Sequence, residues 1–396
     1  MAAVKGDETW SQAYGEAAAG QQAQLQTVYE AGSVTKVFTA LLLADAIERG
    51  EVDPDATIRD VAPELDLPDE VAAVRLQALA NHSSGLPRMP SNFAPADASD
   101  PYADHDNELL WQGLAEVELG PQRYAYSNLG MAVLGQLLAR RAGTTYAELL
   151  KQRVLAPLDL GGLRLTAGEG DAQPHDDMGA PQTDWTFDAF APAGALRGTA
   201  PQLLRFVRAQ VNPKTVDAPL GPAMERTQSQ TTPLPGEGGV GLGWHIDGAG
   251  NRWHNGQTLG SHAFVGLKPS AHGVVVLSNS ASAEVDRLGR GMLTMLAGED
   301  PGLEFAPRVD LSPEQLKRYE GEYVIQPEFI LTITARNGRL YIQATGQPAI
   351  PLTAVGDHVF EISALGASGR FIVPEEGPAS ALIWNQGGQR TKAPRK

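Results

Sequence analysis

No cysteine occurs anywhere in the 396 residues. That absence excludes disulfides, thiolate metal centres and a cysteine nucleophile, and it leaves the redox compartment open. Nor is there an apolar run long enough to span a bilayer, so no transmembrane helix is expected. The opening segment, MAAVKGDETW, lacks the apolar core of a signal peptide. As it stands the chain reads as cytoplasmic, or as periplasmic or secreted if a leader has been removed. Basic residues are scarce: 31 Lys and Arg against 47 Asp and Glu leave a net charge of −16. A phosphate backbone would be repelled, so no nucleic-acid partner is expected, although the total says little about charge at a local site. What is present is an ordinary globular composition, 42% hydrophobic and 20% charged, in a chain too long for one compact core.

Two domains are expected, 1–300 and 310–396. Gly6-Asp7 splits two short apolar stretches, as a hairpin turn does. A helix is expected over 34–49, apolar nearly all round and therefore buried centrally, with Gly50 as its stop. Residues 51–190 read as mostly helical with long polar loops, including a loop at 91–108 and helices at 128–142 and 145–155. From about 235, runs such as HAFVGLKP and HGVVVLSNS, separated by Gly, Asn and Asp, read as antiparallel strands. A helix at 285–297 closes this part, and 298–316 reads as a linker into a short helix. The remainder has the alternation of a small β-barrel or half-barrel, with Asn337-Gly338 as a type I′ hairpin signal.

Three short constellations carry chemistry. Ser33 and Lys36 stand three apart, on one face at the mouth of the buried helix, so the lysine can reach the hydroxyl. The same pair also suits an N-cap followed by a solvated first-turn lysine. Tyr126, in Tyr126-Ser127-Asn128, is a general acid or base if neighbouring cations depress its pKa, or else a core aromatic. Asn128 is placed to hold both the lysine and a substrate amide, or is simply the next helix's cap. In His254-Asn255-Gly256 the histidine offers a cation or hydrogen bond toward the serine, and the glycine lets a substrate backbone approach. The alternative there is a turn glycine beside a half-exposed histidine. The N–H of Gln257 pairs with that of Ser33 as a candidate oxyanion hole.

In order, S-x-x-K, Y-S-N and H-N-G resemble the signature of the penicillin-recognising, β-lactamase-like serine hydrolases. Ala80-Asn81-His82-Ser83-Ser84-Gly85-Leu86-Pro87 is similar to that family's H-T-S-G-L-P loop. Residues 191–200 are similar to its P-A-G-G-L-x-S-T-A segment, and Gly241-Leu242-Gly243-Trp244 precedes the third motif as is usual. The resemblance covers roughly 1–300 and implies a β-lactamase-like α/β (α+β) fold, an antiparallel sheet flanked by helices plus a helical lobe. Its Y-S-N version points to the class C β-lactamase and D-Ala-D-Ala carboxypeptidase branch, which also holds esterases and D-amino-acid peptidases. It implies Ser33 as acylated nucleophile, Lys36 as its activator and Tyr126 as proton shuttle. Asn128, His254, Gly256 and Gln257 would support a small-molecule or peptide substrate, with no cofactor and no metal. A promiscuous esterase with weak β-lactamase activity comes first; a D-peptidase or a penicillin-binding sensor without turnover is the alternative. Residues 310–396 resemble the lipocalin-like β domain appended to such hydrolases.

The third motif departs from the pattern, with His254-Asn255 where efficient class C β-lactamases have Lys-Thr. A mostly neutral histidine is a weaker anchor for a β-lactam carboxylate. No deacylating glutamate motif of the class A type is visible, and since the chain begins almost at the first strand, the N-terminal helix common in the family is expected to be missing or cut away. Residues 236–241 formally fit G-x-G-x-x-G but follow no strand, so dinucleotide binding is rejected. G-x-S-x-G is absent, against an α/β-hydrolase. Asp104-His105-Asp106 and His175-Asp176-Asp177 read as solvated loop charges.

Overall fold

The structure, a computed structural model, describes residues 1–177, 179–234, 238–303, 309, 311–327, 329–336, 338–345, 349–362, 367–386 and 389–396. Two compact units result, Met1–Pro301 and Gly302–Lys396.

The first unit is built on an eight-stranded antiparallel sheet. Its strands are β1 (Ala2–Lys5), β2 (Glu8–Ser11), β3 (Thr232–Pro233), β4 (Gly238–Val240), β5 (His245–Asp247), β6 (Arg252–Gln257), β7 (His262–Lys268) and β8 (His272–Ser278), in the order β2-β1-β8-β7-β6-β5-β4-β3. Gly6, at φ 58°, supplies the left-handed turn that lets Lys5 pair with Glu8. Side chains alternate across β7 and β8, so Val265 and Val275 join the main core while Phe264, Val274 and Val276 join a second one. Both faces are therefore covered, which is why these strands read as near-continuous apolar runs.

Five helices matter for the site: α1 (Thr35–Glu48), α2 (Asn128–Arg141), α3 (Ala200–Val211), α4 (Leu220–Gln228) and α5 (Glu284–Leu296). Helix α5 brings Val285, Met292 and Leu293 to the second core, while Leu203, Phe206 and Val207 of α3 join the main one. From Thr35 to Ile47 every residue of α1 is buried, as its lack of a polar face requires. Ser127 caps α2, its Oγ accepting the Gly130 N–H at 2.9 Å. Residues 51–190 contain less helix than expected: Ile58–Val61, Asp69–Ala72 and Leu76–Ala80 are single turns, Asn107–Ala115 is longer, and Tyr146–Leu150 passes into a π turn. His105 is a correction. It is 3% exposed, against Phe93 and Phe190, because the neighbouring Asp106 caps the Asn107 helix and turns the imidazole inward.

The second unit is a nearly closed, up-and-down sheet of eight antiparallel strands, β9 (Gly321–Gln326), β10 (Phe329–Arg336), β11 (Arg339–Ala344), β12 (Ile350–Gly356), β13 (Val359–Ile362), β14 (Ala367–Ile372), β15 (Ala381–Gln386) and β16 (Gln389–Pro394). A bridge between Tyr323 and Arg395 and the bond from Lys396 N–H to Glu322 O bring the last strand back to the first. Leu331, Ile333, Leu340, Phe360, Phe371 and Leu382 fill its interior. Arg336 pairs with Arg339 across the β10–β11 turn, with Gly338 at φ 77°; Asn337, half of the expected hairpin signal, lies outside the described residues, as do residues 236 and 237 of the rejected glycine motif.

Candidate active site

Residues Gly32–Val34 form a single 3₁₀ turn that runs into α1 and presents Ser33. Ser33 is not a cap, because neither helix start carries a side-chain cap bond. Its Oγ lies 2.8 Å from Lys36 Nζ, and Nζ also donates to Ala193 O at 2.6 Å. Lys36 is fully buried rather than a solvated first-turn residue. Burial, and then the charge of Arg88, hold its pKa well below the lysine range. In its neutral form the amine suits both contacts, donating to the carbonyl while its lone pair faces the hydroxyl.

The turn is held from behind by ion pairs. Glu30, three residues ahead of Ser33, accepts from Arg197 at 2.8 Å, from Thr258 Oγ1 at 2.6 Å and from Trp185 N–H at 2.9 Å. Arg197 and Glu30 are 3% and 4% exposed, and Arg197 also reaches Asp184 at 2.6 Å. A buried pair with this many partners fixes geometry more than it adds net stability.

Tyr126 approaches from the segment before α2, and its phenol reaches the Ser33 side chain. Burial raises its pKa, so the expectation of a phenolate favoured by nearby cations is overturned: desolvation outweighs both the Ser33 hydrogen bond and the Arg88 charge. His82 is the residue that seats this tyrosine. Its Nδ1 accepts the Ser127 N–H at 3.2 Å, its O accepts the Ala125 N–H at 2.8 Å, and its ring lies 4.5 Å from that of Tyr126. The Asn81–Pro87 motif is thus a cradle for the second constellation.

Asn128 is buried, but its amide donates to Tyr102 OH at 3.1 Å, and the lysine's second bond goes to Ala193 instead. Lys36 thus bonds Ser33 and the backbone at Ala193, and the Asn128 amide is turned to Tyr102 instead. His254, on β6, is also buried. Its Nδ1 contacts Asn255 O at 2.5 Å, and burial together with His245 and Lys36 keeps its pKa well below the usual histidine value. Of the two roles offered by the sequence, cation or hydrogen bond, the lowered pKa favours the second. Gly256 is required by the chain's own packing. Its missing Cβ would lie 2.0 Å from Ala31 O and 2.8 Å from Ser33 N, so the chain's own nucleophile turn occupies that space. Gly32, at φ 52°, answers from the other side, its absent Cβ 2.9 Å from Gln257 N. Two glycines thus bring the backbones of Ser33 and Gln257 together.

The sequence reading missed His245, Arg88 and the role of His82. His245 stacks on Trp253 at 4.5 Å and lies 5.3 Å from His254, and its pKa falls from 6.5 to about 4 through burial, Arg290 and Lys36. Its place directly after Gly241–Trp244 was the available signal. Among the described residues no group of three or more His, Asp or Glu is arranged to hold a metal.

These histidines give stability a predictable pH dependence. Groups with lowered folded pKa refuse protons that the unfolded chain accepts below about pH 6.5, so stability falls as pH falls from there. For His245 the drop from 6.5 to about 4 is worth on the order of 3 kcal/mol. Urea unfolding between pH 7.5 and 4 should show wild type losing about that much relative to His245→Gln. Parallel curves would refute the assignment.

The Beta-lactamase family model matches residues 1–299, three quarters of the sequence. The chain belongs to the beta-lactamase family. Its relatives include proteins named as beta-lactamase-like and as penicillin-binding. "Beta-lactamase-like protein 2" of Dictyostelium discoideum is 32% identical over 139 residues, 32% of this chain and 24% of that protein, so the chain spans about a quarter of that relative's length. "Penicillin-binding protein 4*" of Bacillus subtilis (strain 168) is 21% identical over 98% of this chain and 93% of its own. A class C beta lactamase from Rhodobacter sphaeroides shares the fold with a TM-score of 0.64 and 21% identity, over 72% of this chain and 90% of that one.

Proposed function

We propose that this hydrolase works through an acyl-enzyme on Ser33 and that carboxylic esters are its foremost substrates. The observation that carries the reading is the buried Lys36 set 2.8 Å from the Ser33 hydroxyl, its pKa held well below the lysine range. Lys36 takes the hydroxyl proton as Oγ attacks the carbonyl carbon, and the N–H groups of Ser33 and Gln257 receive the oxyanion. Tyr126, protonated because it is buried, passes its proton to the leaving group and recovers one from Lys36. In the second half a water enters, its proton passes through Tyr126 to Lys36, and Ser33 leaves with the proton that Lys36 returns. The lowered pKa of His254 favours esters over β-lactams, since this histidine offers no cation to a ring carboxylate. Asn128 supports the tyrosine wall by way of Tyr102.

Acid quenching during turnover of p-nitrophenyl acetate, followed by peptide mass analysis, tests this. The expected result is an acetyl group on the peptide bearing Ser33. Turnover with that peptide unmodified, and another residue acetylated, would replace the assignment.

A further inference from the structure

The first turns of α1 bury three polar side chains, Thr35, Lys36 and Thr39. Each must find a partner inside the protein, because water does not reach it. All three find one in a single stretch of chain. Lys36 Nζ donates to Ala193 O at 2.6 Å, and Thr39 Oγ1 donates to Pro192 O at 2.7 Å. Thr35 Oγ1 accepts the Leu196 N–H at 2.9 Å while donating to Gly32 O at 2.6 Å. Pro192 and Ala193 belong to the single helical turn Ala191–Gly194, and so short a turn leaves its last carbonyls without helical donors. Helix α1 supplies those donors from outside.

Lys36 and Thr39 stand three apart on one helix face, so they grip consecutive carbonyls. A threonine inside a helix ordinarily turns its hydroxyl back to the carbonyl four residues earlier. Thr39 has that carbonyl, Thr35 O, at 3.4 Å and is turned to the nearer Pro192 O. Tyr146 fixes the choice. Its OH lies 2.7 Å from Thr39 Oγ1, and since the threonine's one proton goes to Pro192 O, the phenol is the donor. Burial raises the Tyr146 pKa and keeps that proton in place. Helix α2 backs the arrangement, because a Cβ on Gly135 would strike both Pro192 and Tyr146.

We propose that Thr39, oriented by Tyr146, is a positioning residue for the proton transfer: it fixes the Pro192–Ala193 backbone so that Ala193 O aims Lys36 Nζ at Ser33. This rests on the acyl-enzyme reading above, in which Lys36 takes the hydroxyl proton. Before the transfer, the carbonyl takes one amine N–H and leaves the lone pair to face Ser33 Oγ at 2.8 Å. After it, the same carbonyl accepts from the ammonium in a charge-assisted bond. The other titratable and charged groups facing Lys36 are Arg88 and Tyr126, His82 beside them, and His245 and His254 from the sheet. None of these is an Asp or Glu, so the ammonium depends on the carbonyl.

Thr39→Val puts a methyl in place of the hydroxyl. Its kcat on p-nitrophenyl acetate is expected to fall about tenfold or more, with KM little changed. The acid limb of kcat/KM should move to lower pH, because an ammonium with a displaced acceptor gives up its proton more easily. Thr39→Ser retains the hydroxyl and should keep most of the rate and the wild-type limb. Thr39→Val also leaves the Tyr146 hydroxyl buried without an acceptor, which lowers stability. Adding Tyr146→Phe removes that orphan, so the double variant should regain stability and remain slow. Recovery of kcat along with stability, or an unmoved acid limb in Thr39→Val, would overturn the proposal. NMR of lysine labelled at Cε, in a Ser33→Ala background, reads the Lys36 titration without turnover and should show the same downward shift on adding Thr39→Val. An unchanged titration breaks this proposal alone. Acetylation of a residue other than Ser33 breaks the nucleophile reading and leaves the shift standing.

Discussion

Ser33→Ala is expected to lower kcat on p-nitrophenyl acetate by about four orders of magnitude and to abolish any burst of p-nitrophenol. The expectation follows from what the hydroxyl does and does not touch. It caps no helix, so its removal leaves the 3₁₀ turn, α1 and the Glu30–Arg197 pair in place. The thermal midpoint should therefore stay within a few degrees of wild type. No second hydroxyl is ready to substitute. Ser127 Oγ donates to Pro87 O at 2.6 Å and accepts the Gly130 N–H, so it is committed to the α2 cap. The residual rate should come from the positioned backbone N–H groups alone. Stopped-flow measurement of the burst, with enzyme at a known fraction of substrate, gives the cleanest reading. A variant retaining more than about 1% of wild-type kcat would mean that the acyl group travels by another residue.

The parts of this molecule that were legible in sequence are those whose signal is local. Helix α1 announced itself by having no polar face, and β7 and β8 by unbroken apolar runs between turn residues. The Ser33–Lys36 spacing is local too, and so is the order of the three motifs. Helix α3 was also written plainly, with Thr199 and Gln202 as a reciprocal cap and a proline in its first turn, yet the reading passed over it. Other features were not local. The pKa directions of Lys36, Tyr126 and His254 depend on burial, which arises only when β6, α2 and the turn before α1 converge. Charge counting therefore gave the wrong sign for Tyr126. Arg88 and His245 gain meaning in the same way, from rings that lie 38 and 9 residues away in sequence. The glycine of the third motif is the sharpest case, since its close approach to the chain's own backbone at Ala31 and Ser33 has no local signal in sequence.

Gly256→Ala is the change that exposes this last point. An ideal Cβ at 256 falls 2.0 Å from Ala31 O, 2.8 Å from Ser33 N and 2.9 Å from Ala31 C. All three are backbone atoms, so no flexible side chain can swing aside, and either β6 or the nucleophile turn must move by about an ångström. That displacement separates the N–H of Ser33 from that of Gln257, the pair proposed to receive the oxyanion. Mispositioning of this size costs on the order of a hundredfold in kcat, and loss of one oxyanion donor costs a similar factor. Overpacking should also lower stability by about 1–3 kcal/mol. The two effects can be told apart, because the remaining folded enzyme at low temperature should still be slow. Gly161→Ala serves as the control, since a Cβ there meets nothing within 4 Å. Circular dichroism would establish the folded fraction, and kcat per folded molecule would be read at pH 8. If Gly256→Ala kept kcat within a few fold of wild type, the two backbones would not be the clamp that holds the reacting carbonyl, and the oxyanion would have to be received elsewhere along β6.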